Sequence, residues 1–239
     1  MICLGVDCAG KTAGVAVMQD GALLYECSLN RGLTHSETLL CMVQNALHST
    51  GLTCEEVSLY GVCAGPGSFT GLRIGLAAVK GLALPHGTLC AGVSTLEALA
   101  RCCAGSGTVV CALDARRGEV YWAAFGLPGV IRLTPDTAQP MDALEPFLKN
   151  CKKPLFFVGD GAGLCYNRYD NLAGLVPCPA PLQASRALGV CMAACAAAQQ
   201  GLAVPAAQLM PQYHRLSQAE RERAARLHAG AEDPPLILK

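Results

Sequence analysis

The chain has 239 residues, 52% hydrophobic and 15% charged, with a formal net charge of zero. This composition supplies a substantial core and argues against disorder. The charge balance argues against broad electrostatic binding of nucleic acid. The opening Met1-Ile2-Cys3-Leu4-Gly5-Val6-Asp7 lacks a basic lead, and the apolar runs fall short of the ~20 residues that cross a bilayer, so a cytoplasmic protein is expected. Fifteen cysteines are scattered without a C-x-x-C, and five histidines never form H-x-x-x-H. The cysteines therefore read as small core residues of a reduced protein, with no metal site.

Residues 2–7 read as a strand that ends in Asp7. Residues 13–18 and, after the Asp20-Gly21 turn, 22–29 make two more, so an antiparallel meander opens the chain. Thr34 and Glu37 form a capping box, and Leu39, Leu40, Val43, Ala46 and Leu47 predict a helix over 35–49 that stops at Gly51. A strand over 57–63, a glycine-rich turn, and a helix over 72–84 ended by Pro85 and Gly87 come next. A strand over 88–93 and a helix over 95–103, capped by Ser94 with Glu97, complete the first half.

After the loop 104–107, a strand over 109–114 ends at Asp114, turns at Arg116-Arg117-Gly118 and returns over 119–125. A short strand over 130–133, a helix over 142–149, a strand over 155–158 and a helix over 185–200 follow. Ser217 to Arg223 carry a capping box and read as a short, solvated helix. The hairpin after Asp114 echoes the one after Asp7, a weak internal repeat of strand, Asp, turn and strand. The expected organisation is an N-terminal lobe over 1–104, a C-terminal lobe over 105–210 and a tail over 211–239. Two pseudo-repeated α/β lobes of this order suggest, by analogy of topology, the acetate kinase, hexokinase and actin type of fold.

In such folds the first hairpin of each lobe clasps phosphate, and an Asp at the strand end holds a metal-bound water. Asp7, Lys11, Thr12 and Asp114 are the residues placed for this. The alternative is that Asp7 caps its own hairpin. Ala115-Arg116-Arg117 stand where glycine would let backbone approach a phosphate, so the site reads as degenerate and no cofactor is expected. No G-x-S-x-G elbow or H-E-x-x-H occurs, and Ser68, in G-x-S-x-T, has no evident base beside it.

The segment Gly65-Pro66-Gly67-Ser68-Phe69-Thr70-Gly71-Leu72-Arg73-Ile74-Gly75 matches neither common phosphate loop. Ser68 or Thr70 can cap the helix it launches. Gly71, Gly75 and Ala78 recur on one helix face, and each interior Gly costs up to ~1 kcal/mol against Ala. A close approach must offset that, either to the 35–49 helix or to a helix of another chain.

That eleven-residue string, with Ile2 to Asp7, Gly92-Val93-Ser94-Thr95-Leu96, Asp114 to Tyr121, Gly159-Asp160-Gly161-Ala162 and Pro211-Gln212-Tyr213-His214-Arg215, closely resembles the TsaB (YeaZ) family of tRNA threonylcarbamoyladenosine biosynthesis proteins. The resemblance runs from residue 1 to about 223. It implies a two-lobed ribonuclease H-like fold of the actin, hexokinase and acetate kinase type, with a reduced second lobe. It also implies a non-catalytic subunit supporting threonylcarbamoyl transfer to the adenosine beside the anticodon by a catalytic paralogue, TsaD.

First-lobe helices would meet TsaD, with Gly71, Arg73, Gly75, Ala78, His35 and Leu39 as interface residues. The small ATPase TsaE would join, the chain alone would form a homodimer, and contact with tRNA would be indirect. After Asp7, Cys8 and Ala9 stand where the resemblance implies small hydroxyl residues, Lys11 is unexpected, and His214 stands where the family usually has Leu. The alternative function is an independent nucleotide-binding ATPase or kinase-like enzyme of the same fold; a peptidase lacks the metal-ligand pairs.

Overall fold

The computed structural model describes residues 1–30, 35–179 and 186–215. Thr34, Ser185 and the 217–223 segment lie outside them. The first lobe is a six-stranded sheet of β1 (Ile2–Asp7), β2 (Ala13–Gln19), β3 (Ala22–Leu29), β4 (Leu59–Gly65), β5 (Leu89–Ser94) and β11 (Val204–Pro205). Its order is β11-β5-β4-β1-β2-β3. The meander β1-β2-β3 is antiparallel, whereas β4 runs parallel to β1 and to β5. This mixed order is the ribonuclease H-like arrangement.

Both faces of the first sheet are covered, which is why β1 and β4 are apolar without alternation. On one face α1 (His35–Thr50) and α2 (Phe69–Ala83) bury Leu39, Val43, Leu76 and Val79 against Leu4, Val6 and Val62. On the other, α6 (Ala187–Gln199) packs on Cys3, Ala16, Leu59 and Cys63. An added Cβ at Gly5 would stand 2.6 Å from Cys191 Sγ, and one at Gly61 2.7 Å from the Ala194 Cβ. These two glycines let α6 lie flat on the strands.

The second sheet comprises β6 (Gly107–Arg116), β7 (Glu119–Leu127), β8 (Ile131–Arg132), β9 (Thr137–Pro140) and β10 (Leu155–Val158), in the order β10-β6-β7-β8, with β9 pairing β7. Its outer face carries α4 (Glu145–Asn150) and α5 (Ala162–Arg168) around Leu148, Phe157 and Trp122. Its inner face meets α3 (Thr95–Arg101) through Leu96 and Leu99. Ala98 of the same short helix packs on α6, so α3 sits between the lobes. Ser94 caps α3 as expected, its hydroxyl accepting the Glu97 N–H at 3.1 Å. The Glu97 carboxylate does not close the box; it pairs with Arg101 at 2.7 Å and Arg132 at 3.2 Å.

Several expectations shift. The glycine-loop helix begins one turn early, at Phe69, because the Ser68 hydroxyl accepts the Gly71 N–H. The helix expected over 142–149 divides into a 3-10 turn, Met141–Leu144, and α4, with Pro146 in the first turn of α4. The strand expected over 130–133 shortens to Ile131–Arg132. The stretch from residue 187, grouped with the second lobe by sequence order, returns to the first sheet as α6 and β11. Cys8 and Cys165 are buried free thiols. Burial and the nearby Asp7 push the Cys8 thiol up to about 12, and burial does the same for Cys165, which leaves both inert as nucleophiles.

Candidate functional site

The C-terminal ends of β1 and β6 open onto a cleft of about 370 Å³ between the lobes, lined among others by Lys11, Ser68, Asp114, Arg116, Tyr121 and Asp160. Each strand ends in an aspartate that serves its own turn. Asp7 Oδ1 accepts the Ala9 N–H at 2.9 Å, and Asp114 Oδ1 accepts the Arg116 N–H at 2.7 Å. Both are bonds from residue i to i+2, the Asx-turn device. Asp7 is 1% exposed and lies beneath the cleft rather than on it. Of the four residues expected at a nucleotide, Lys11 and Asp114 line the cleft, and Asp7 and Thr12 do not.

The second hairpin is cationic and held in an uncommon backbone shape. A register shift follows Asp114, and Arg116, Arg117 and Gly118 all have positive φ, at 67°, 59° and 78°. For a residue with a Cβ that conformation costs roughly 1–2 kcal/mol. Asp160, at the start of the turn before α5, accepts the Asp114 N–H at 3.0 Å. Burial in the cleft wall raises its carboxyl above the ordinary value, aided by the Asp114 charge and opposed by the Asp114 N–H, Lys11 and Arg116. The cleft thus offers Lys11 and Arg116 to an anion and Asp114 and Asp160 to a cation. Among the described residues no group of three His, Cys, Asp or Glu side chains can hold a metal.

The residues expected at an interface divide. An added Cβ at Gly71 would stand 2.0 Å from the Cys8 carbonyl oxygen, and one at Gly75 3.3 Å from Val62 Cγ2. The close approach that offsets the two helical glycines is therefore within the chain's own first lobe, to the turn after β1 and to β4. Leu39 is core, and Ala78 is half-buried against it. His35 Nε2 lies 2.9 Å from the Gly10 carbonyl. Arg73 is exposed and donates from Nε to the Tyr213 hydroxyl at 2.8 Å. Besides Arg73, the outward positions of the two helices include Leu40, Cys41, Gln44 and His48 on α1, and Thr70, Ala77 and Gly81 on α2.

Sequence reasoning missed what residues 212–215 do. The Gln212 N–H donates to the Ala64 carbonyl at 2.8 Å, and Tyr213 stacks on Phe69 at 4.6 Å with an interplanar angle of 17°. Arg215 crosses to the other lobe, pairing with Glu119 at 2.7 Å and donating to the Ala115 carbonyl. The signal available was the pairing of Phe69 and Arg73 at i,i+4 with a distant Tyr213-x-Arg215.

The topology and the paired Asp turns define a two-lobed α/β protein of the actin, hexokinase and acetate kinase type. A family model described as TsaD, tRNA N6-adenosine threonylcarbamoyltransferase, matches residues 32–160, a little over half of the chain. The Escherichia coli tRNA threonylcarbamoyladenosine biosynthesis protein TsaB is 38% identical over 51% of this chain and 54% of its own length. Its Bacillus subtilis namesake is 27% identical over 73% and 77%. A solved structure, YeaZ from Pseudomonas aeruginosa, superposes with a TM-score of 0.74 at 26% identity, covering 89% of this chain and 99% of that one. The chain belongs to the TsaB (YeaZ) family.

Proposed function

We propose that the chain is a non-catalytic subunit that holds a catalytic paralogue, TsaD, in its active state for threonylcarbamoyl transfer to the tRNA adenosine beside the anticodon. The relatives' shared role in threonylcarbamoyladenosine biosynthesis supports the pathway. The observation that carries the subunit role is the pair of Asx turns. Asp7 and Asp114 take the first N–H groups of their hairpins, the groups that would otherwise face a phosphate. The outward positions of α1 and α2 are the proposed docking face, with Leu40, 53% exposed, and Ala77 at its centre. TsaE joining this pair in the cytoplasm, a homodimer on the same face, and indirect contact with tRNA belong to the same proposal.

Pairing of the purified chain with TsaD, followed by size exclusion and titration calorimetry, tests it. Leu40→Asp and Ala77→Asp are expected to weaken pairing at least ~tenfold, since each buries a charge at the contact. Gly75→Leu is unsuitable, because it would strike Val62 inside the lobe. Full-strength pairing by both folded aspartate variants removes α1 and α2 from the interface. The second reading, an independent ATPase or kinase, is favoured by Lys11 and Arg116 in one cleft. Tight binding of ATP with magnesium by the isolated chain, lost in Lys11→Ala, would revive it.

A further inference from the structure

We infer that residues 212–215 form an interlobe latch, and that Arg215 and Tyr213 together set the position of the second lobe against the N-terminus of α2. Within these four residues, Gln212 and Tyr213 hold the first lobe and Arg215 holds the second. On the first lobe, Gln212 donates its N–H to Ala64 at 2.8 Å, and Tyr213 is gripped by Phe69 at 4.6 Å and by Arg73 at 2.8 Å. On the second, Arg215 holds the Ala115 carbonyl and, at 2.7 Å, the Glu119 carboxylate, one residue to each side of the Arg116–Gly118 turn.

The glycine loop is shaped to receive this strap. Gly65 has φ 142°, and an added Cβ there would stand 2.1 Å from the Gln212 carbonyl oxygen. Only glycine admits the strap at this point. The loop is also tied downward, the Ser68 N–H donating to the Ala9 carbonyl at 2.7 Å. A path of bonded groups therefore runs from Glu119 through Arg215, Gln212 and Ala64 to the loop that starts α2. The Arg215 side chain is 17% exposed and that of Glu119 31%, so the pair is less open to screening than a surface pair. Lobe rotation that widens the cleft must break either the Arg215 bonds or the Tyr213 stack. The Asx turns take up one backbone N–H in each hairpin; the latch explains what holds the cleft at one width. Its logic concerns the isolated chain and does not depend on pairing with a paralogue.

Amide hydrogen exchange by NMR on the full chain tests it. Arg215→Ala removes a contact to the second lobe only. The latch requires that the amides of Gln212 and Ser68, both bonded to first-lobe carbonyls, then exchange about tenfold faster, while Val62 within β4 keeps its rate. Tyr213→Leu, acting on the first lobe, must conversely speed exchange of the Glu119 amide. Unchanged exchange at Gln212 in Arg215→Ala, or an equal rise at Val62, overturns the latch. Should Arg215→Ala not fold, Glu119→Gln keeps the shape, removes the charge partner and must give the same pattern, with the same results overturning it.

Discussion

His214 Nε2 is buried with no hydrogen-bond partner among the described residues. An unmet buried donor or acceptor costs about 1–3 kcal/mol, and an apolar group of similar shape avoids that cost. His214→Leu is therefore expected to raise stability by about 1 kcal/mol, read as a higher denaturant midpoint with an unchanged slope. A lower midpoint would mean that the imidazole bonds a group not seen here. Asp160 has its folded pKa above its unfolded value of 3.8, because burial disfavours its charge. In the window that opens at 3.8 and extends upward, the folded chain binds the extra proton, so this group's contribution falls as pH rises. Asp160→Asn keeps an oxygen for the Asp114 N–H and removes the charge. It should be more stable than wild type at pH 7 and level with it below pH 3.8. The margin is small, since the Asp160 residue is exposed and solvent screens the effect. A variant that loses stability at pH 7 would show that the carboxylate is held by its cationic neighbours instead.

At the scale of elements, α3 and α6 cross in close contact. An added Cβ at Gly189 would stand 2.0 Å from the Ala98 carbonyl oxygen, which is backbone and cannot swing aside. Gly189→Ala should cost more than 2 kcal/mol, by analogy with overpacked cores, and a thermal melt will measure it. If the melt is unchanged, α6 slides freely on α3. This contact also shows where reading the sequence ends. The Asp20-Gly21 turn, the helical spacing of Leu39, Val43 and Leu47, and the Ser94 cap are local signals, and the meander, α1 and α3 follow from them nearly to the residue. Gly71 and Gly75 were visible as a bare helix face, but a face carries no address, and only the packed sheet shows that Cys8 and Val62 fill it. Gly189 and the alanines after it gave no sign that α6 returns to the first sheet, because an apolar helix of small residues fits either lobe. In the cleft, Lys11 and Asp114 were legible from the strand-end rule, whereas Arg215 was not, since its partner Glu119 lies far back in the chain.

At the scale of the molecule, three features among the described residues cross the division between lobes. Helix α3 packs on the second sheet through Leu96 and Leu99 and on α6 through Ala98. Residues 212–215 bind both lobes, and Arg132 of the second sheet reaches Glu97 of α3 at 3.2 Å while its guanidinium lies over Phe125 at 4.8 Å. The two sheets are therefore coupled rather than independent folding units, and unfolding should be a single transition. The chain carries its own probe of this. Its single tryptophan, Trp122, is 6% exposed in the second lobe. The long helices α1, α2 and α6, which dominate far-ultraviolet circular dichroism, all pack on the first sheet. Tryptophan fluorescence and helical dichroism should give coincident denaturation curves in the wild type. In Arg215→Ala, α3 still spans the lobes, so the curves should shift together to lower denaturant and remain superposed. Curves that separate in the wild type would show that α3 and the strap do not couple the lobes, and that each sheet with its own helices is stable alone.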